Sequence, residues 1–249
     1  DYNAGTASLM ESTALFNNQT IQGVGTIDAM NSTGDENVFC PGCDLAYVFG
    51  GYTLLDKNPG NNDPFNLDPS VGNTDIGIDL TGVFNGGDSD FAFTGGWLQV
   101  YVLNDGDYVA GASSNTLLDT ILAGTLWLDL QAVDGAQNAG GETLAGTVGN
   151  FDPAEGLSGE GAGYFNVVGG LAANNFDTNG ELGGADFTFT SSFQPRNGGP
   201  YVDGGLNPFS YTHSGSGEIT GDSIPEPSTI ALFGLTLLGL GVARRKMKA

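Results

Sequence analysis

Three groups of residues have side chains whose types and spacing could do chemistry. Cys40-Pro41-Gly42-Cys43 sets two thiols at the ends of a four-residue turn. Proline second and glycine third match a type II turn, which brings the flanking α-carbons within ~7 Å, inside disulfide range. An oxidising compartment favours the Cys40–Cys43 bond. Redox activity or half of a metal site are the alternatives. A redox pair of the thioredoxin kind wants its first cysteine at a helix N-terminus, whereas Ala46-Tyr47-Val48-Phe49 reads as a strand, and zinc would need two further ligands from His213 and carboxylates. The second group is Asp177, Asn179 and Glu181, alternate oxygen donors in a glycine-containing loop that suit a hard cation such as calcium. Asp88 with Asp90, and Asp105 with Asp107, are further carboxylates of this kind. Thr188 stands where an EF-hand needs glutamate, and solvated turn carboxylates are the alternative reading. The third group is aromatic and polar: Trp97, Gln99 and Tyr101 on one strand face, and Trp127 with Asp129 on another, a combination that could stack and hydrogen-bond a sugar. Half-buried packing is the competing reading of these rings.

Catalytic chemistry is poorly supplied. His213 is the only histidine, and no nucleophile elbow, phosphate-cradling loop or zincin motif is present. Twenty-nine acids always offer a carboxylate pair, so glycosidase chemistry is a third reading behind a carbohydrate-binding module. The chain reads as a non-enzyme.

The elements that must position these residues are strands. Period-two alternation marks Thr74 to Phe84 and Asp186 to Phe193, the latter with Phe187, Phe189 and Phe193 opposite Thr188 and Thr190. Ala46 to Leu55, Asp90 to Leu103, Leu117 to Val133, Tyr164 to Val168 and Phe209 to Ile219 read likewise. In Trp97 to Leu103, Leu98, Val100 and Val102 oppose the aromatic face; Thr125, Trp127 and Asp129 oppose Leu126, Leu128 and Leu130. Thr20 to Ala29 alternates like a strand, whereas Ser8 to Phe16 suits a short helix. Asn58 to Asn73 and Gly198 to Pro208 are excursion loops, and Asn104-Asp105-Gly106-Asp107 is a turn. Seven or more strands without a long amphipathic helix predict an all-β fold, an antiparallel β-sandwich or jelly roll.

Charge divides the chain sharply. Of 6 basic residues four lie in the last six positions, and residues 1–224 carry 28 acids against Lys57 and Arg196, a net charge of −26. Such a surface repels phosphate backbones and anionic lipid, which excludes nucleic acid as a partner. Ten per cent aromatic residues and β-branched runs still provide a core, so the acidity does not signal disorder. Glycine, 42 of 249 residues, clusters with Asn and Asp between apolar runs, as turns require.

The C-terminal end has its own logic. Pro225-Glu226-Pro227 removes backbone donors and forbids helix before Ser228; Thr229 to Ala243 is free of charge; Arg244, Arg245, Lys246 and Lys248 follow. Fifteen helical residues span roughly 22 Å, short of the ~20 residues of a comfortable membrane crossing and suited to a transient anchor. The cations stay cytoplasmic, which places residues 1–224 outside, and the start at Asp1 agrees with a removed signal peptide. Gly234, Gly239 and Gly241 allow close approach of another helix, from a protease or a second copy in a homo-oligomer. The organisation expected is an acidic β-rich extracellular domain over 1–213, a spacer over 214–224 and an anchor over 225–249.

This tail resembles the PEP-CTERM sorting domain of exported bacterial proteins. Pro225, Glu226 and Pro227 match its signature, Ala231-Leu232-Phe233-Gly234-Leu235 and Leu237-Leu238-Gly239-Leu240-Gly241 its helix, and Arg244-Arg245-Lys246 its basic end. The resemblance implies recognition by an exosortase, a membrane-embedded cysteine protease. Transient inner-membrane anchoring, then release or transfer to the cell surface or exopolysaccharide matrix, would follow. Gly95-Gly96-Trp97-Leu98-Gln99-Val100-Tyr101 and Phe176-Asp177-Thr178-Asn179 are similar to the β-rich bodies of PEP-CTERM proteins linked to flocs and biofilms, which implies a structural or adhesive matrix role. No cofactor beyond calcium is expected.

Overall fold

A computed structural model of the chain describes residues 2–11, 20–31, 34, 40–55, 89–109, 114–134, 141–152, 156–195 and 213–224. The expected strand at Thr74–Phe84, both excursion loops and the C-terminal helix lie outside these residues. Among the described residues no helix is long and apolar enough to cross a membrane.

The strands are β1 (Tyr2–Glu11), β2 (Thr20–Thr26), β3 (Ala29–Met30), β4 (Cys43–Leu54), β5 (Ser89–Asn104), β6 (Thr125–Val133), β7 (Leu144–Asp152), β8 (Gly156–Gly169), β9 (Phe187–Pro195) and β10 (His213–Gly221). Among the described residues two α-helices, α1 (Ser114–Leu122) and α2 (Ala173–Phe176), and a short 3-10 turn at Leu182–Gly184 interrupt them. All pairings are antiparallel, and they run in a circuit. β1 pairs β2, β2 pairs β4, β4 pairs β5, and β8, β9 and β10 follow in order until β10 returns to β1. Between β5 and β8 one place in the ring is shared end to end by β6 and β7. The all-β antiparallel expectation holds, but one sheet closed on itself takes the place of a two-sheet sandwich or jelly roll. Alternation marks a strand without naming its neighbours, and the closing β1–β10 pair joins residues some two hundred positions apart. About eight strands enclose an interior that side chains can fill.

Three local expectations change. Ser8 to Glu11, expected in a helix, belong to β1, where β10 supplies the backbone partners. Leu117 to Leu122, expected as strand, form α1, because Leu117 and Ile121 sit four residues apart on one buried stripe. β10 bears out the strand read within Phe209 to Ile219 and runs on to Gly221, so residues 214–221, also read as part of the spacer, are hydrogen-bonded on both sides; their glycines allow close backbone approach rather than slack. The turn at Asn104 to Asp107 forms as read, with the Asp107 amide donating to the Asn104 carbonyl at 3.0 Å.

Two apolar clusters lie on opposite sides of the sheet wall. Leu45, Tyr47 and Phe49 of β4 point into the barrel with Leu98 and Val100 of β5, Leu128 and Leu130 of β6 and Phe165 and Phe187 beyond. Ala46 and Val48 point outward and join Val24, Tyr101 and Leu103 beneath Leu117 and Ile121 of α1. Each fully buried Leu or Phe contributes about 1.5–3 kcal/mol over an exposed one.

The inward set in both central strands changes parity at one level. In β4 it passes from Leu45, Tyr47 and Phe49 to Tyr52 and Leu54; in β5 from Phe91 and Phe93 to Leu98 and Val100. The register steps from Gly50↔Trp97 to Tyr52↔Gly95, leaving one extra residue in each strand. Gly51, Gly95 and Gly96 carry the strain, with φ of 74°, 73° and 103°, which L side chains rarely adopt. The Tyr52 ring lies against Gly96 and the Trp97 indole covers Gly50 and Gly51, so each strand's aromatic shields the other's bare backbone. Gly96→Ala should therefore lower stability by roughly 2–4 kcal/mol, combining a positive φ with a β-carbon forced into the Tyr52 ring. Urea unfolding should show a reduced midpoint at unchanged slope; an unchanged midpoint would refute the joint.

Candidate functional site

The Cys40–Cys43 bond forms as the turn chemistry predicts, with α-carbons 5.2 Å apart. The Cys43 amide donates to the Cys40 carbonyl at 3.1 Å, and Gly42 has φ 72°. Cys40 is buried in the inner cluster, so the clasp closes one end of the barrel at the start of β4. Beside it, Asp44 accepts the amides of Gly106 and Tyr108 at 3.0 and 3.3 Å, tying the β5 turn to the same end.

The aromatic and polar residues of the proposed sugar face are only partly assembled. Trp97, Gln99 and Tyr101 share the outer side of β5, opposite Leu98, Val100 and Val102, as the alternation predicts. Gln99 lies across from Asp129 and donates to its carboxylate at 3.2 Å, while the Tyr101 hydroxyl donates to Gln99 Oε1 at 2.9 Å. Burial and then the Asp129 charge push the Tyr101 phenol above its ordinary 10.0. Trp127 leaves this face. The β5–β6 register shifts between Val100 and Tyr101, so Leu126 packs against the outer cluster and Trp127 against the inner one. There its ring meets Phe176 of α2 edge-on, with centroids 5.6 Å apart. The two tryptophans therefore form no common platform, and each is engaged by packing.

The carboxylate loop is organised from a residue outside the expected calcium set. Asp186 is 1% exposed and accepts three backbone amides: Thr178 and Asn179 at 2.6 Å each on one oxygen, Val167 at 2.7 Å on the other. Asn179 takes φ 51° and donates through its side-chain amide to Asp177 at 3.1 Å; the Glu181 amide donates to the Ala185 carbonyl at 2.8 Å. Among the described residues no three His, Cys, Asp or Glu side chains gather where one metal ion would sit. Asp186 was legible only as the polar residue opening the Phe187–Phe193 alternation. Nothing in that position signals that its carboxylate turns back onto a loop eight residues earlier. His213 opens β10, paired in register with Pro195 and Glu11.

Two outcomes follow. Asp186→Ala should cost about 3 kcal/mol, because three amides lose a charge-assisted acceptor, and exchange of the Thr178 and Asn179 amides should accelerate. Trp97→Ala should also lower stability by about 3 kcal/mol, as loss of a large packed ring does. Equal melting temperatures for wild type and Trp97→Ala would show instead that the ring stands free.

The described chain ends at the tail. Ile224, its last residue, donates its amide to the Asn175 carbonyl at 2.7 Å, so the barrel holds the chain up to the residue before Pro225. No curated protein and no solved structure matches the chain. Residues 223–246 match the PEP-CTERM protein-sorting motif, which covers Pro225, Glu226, Pro227, Arg244, Arg245 and Lys246. The chain is therefore a PEP-CTERM domain-containing protein, and its C-terminal motif indicates export and exosortase-dependent sorting to the cell surface.

Proposed function

We propose that this protein is a non-enzymatic structural or adhesive component of the cell surface or of a biofilm or floc exopolysaccharide matrix, delivered there by its exosortase signal. The sorting motif at 223–246 carries the reading, because it follows a closed, acidic β-domain with no intervening linker. Closure supports a displayed role: a barrel offers few open strand edges to unwanted partners outside the cell. The net charge of −26 on residues 1–224 favours a hydrated surface that cations can bridge to an acidic polysaccharide. Asp186 commits both oxygens to backbone amides, which suits a scaffold rather than a general acid. Before processing, the apolar stretch from Thr229 to Ala243 anchors the chain in the inner membrane with Arg244 to Lys246 cytoplasmic. Small tail residues also allow pairing with a second copy.

A carbohydrate-binding module is the second reading, favoured by the hydrogen-bonded row Tyr101–Gln99–Asp129 on the outer wall. It needs only that row and the Trp97 edge, not Trp127.

Mass spectrometry of the surface fraction tests the sorting step. Wild-type protein should have lost the mass of its C-terminal segment, while replacement of Pro225, Glu226 and Pro227 by alanine should leave a full-length chain in the inner membrane and cells that aggregate less. Surface protein still ending at Ala249 would overturn the proposal.

A further inference from the structure

The barrel interior is not evenly filled. Following one level around the wall, the register runs from Gly146 of β7 to Gly161 of β8, Ser191 of β9 and Gly217 of β10. Inward-facing strand positions normally carry the large residues of a core, yet this level is built from small ones. The tip of Phe91 occupies the room over Gly146 and lies 3.5 Å from where a β-carbon of Gly161 would stand. Over Ser191 and Gly217 a cavity of about 50 Å³ is left. Its far wall is Ile21 of β2, Phe49 of β4 and Leu98 of β5, and Phe189 flanks it. Residues from seven strands line it, which places it in the lumen rather than in a surface groove.

The lining decides what fits. A cavity needs only about 10–15 Å³ to admit one water, but a water also needs two to four polar partners, and apolar cavities stay dry. Among the described residues that line it, only Tyr47, Tyr52 and Ser191 carry side-chain hydroxyls, and the other side chains are hydrocarbon or aromatic. Burial raises the Tyr52 phenol well above its ordinary 10.0, so it stays neutral, and no charge faces the space from these residues. A sugar would leave hydroxyls without partners in such a site. A flexible alkyl chain has none to lose, and its end is narrow enough to enter.

We propose that the lumen between Phe49 and Ser191 is a binding site for the end of an aliphatic chain. The site is separate from the sorting signal and from the outer polar row, so its test does not depend on either.

Calorimetric titration of the full chain with 1-butanol, 1-pentanol and 1-hexanol tests it, with Ser191→Leu as the filled variant. Leucine at 191 extends into the cavity that Ser191 itself lines. Wild type should bind one alkanol saturably, with affinity rising about fourfold per added methylene. Ser191→Leu should bind at least tenfold more weakly. Any alkanol held by the apolar C-terminal segment is common to both proteins and cancels in the comparison. Should Ser191→Leu not fold, Ser191→Val fills less of the same space and should still weaken binding severalfold. Absence of saturable binding to wild type, as for a water-filled or collapsed cavity, would overturn the site. Equal binding by wild type and the filled variant would do so too.

Discussion

Pairing of β1 with β10 is the constraint on which the rest depends. Without it the ring is an open sheet with two exposed edges, and the inner cluster loses the enclosure that keeps it dry. Eight register pairs make the seam, interrupted by a shift between Thr6 and Leu9. The seam also fixes where the domain ends: β10 is the last described strand before the sorting motif. Closure between such distant segments carries a loop-entropy cost that the seam's hydrogen bonds and the enclosed core must offset.

Within the ring, the joint at Gly50–Gly51 and Gly95–Gly96 governs which side chains face inward. One extra residue in each strand reverses the parity of both together, so Tyr52 and Phe93 below the joint share the interior with Phe49 and Leu98 above it. The same level is where β6 gives way to β7: Thr143 donates its hydroxyl to the Gly95 carbonyl, and Gln131 donates its side-chain amide to that of Gly96. The carbonyls that a bulge would leave without ladder partners are thus met by side chains from the neighbouring place in the ring. Trp97 and Tyr52 belong to this joint, which explains why the most conspicuous aromatic of the outer wall is also a packing element.

Electrostatics act at a different level from packing. Among the described residues, acids such as Asp105, Asp107, Glu160 and Glu218 lie exposed on turns and outward positions. They shape long-range behaviour, solubility and cation-dependent association, more than fold. Among the described acids Asp186 is the buried exception. Buried and fully hydrogen-bonded, it acts as a local fastener between β8, the loop after α2 and the start of β9.

By itself the sequence determined the strands read at Ala46 to Leu55, Asp90 to Leu103, Tyr164 to Val168 and Asp186 to Phe193, the Cys40–Cys43 clasp, the Asn104–Asp107 turn, the outer and inner faces of Trp97 to Leu103 and the sorting signal. Each of these is encoded within a few consecutive residues: alternation, turn chemistry, or a contiguous run of prolines, apolar residues and cations. Tertiary structure alone decided that Ser8 to Glu11 pair with β10, that Leu117 to Leu122 fold as a helix over the outer cluster, and that residues 214–221 close the barrel. It also separated Trp127 from Asp129 through a register shift and turned Asp186 back onto its loop. The reason is the same in every case. Short apolar and glycine-rich segments have no strong local preference, so their conformation and facing are set by whichever distant backbone supplies their hydrogen-bond partners and whichever surface buries their side chains.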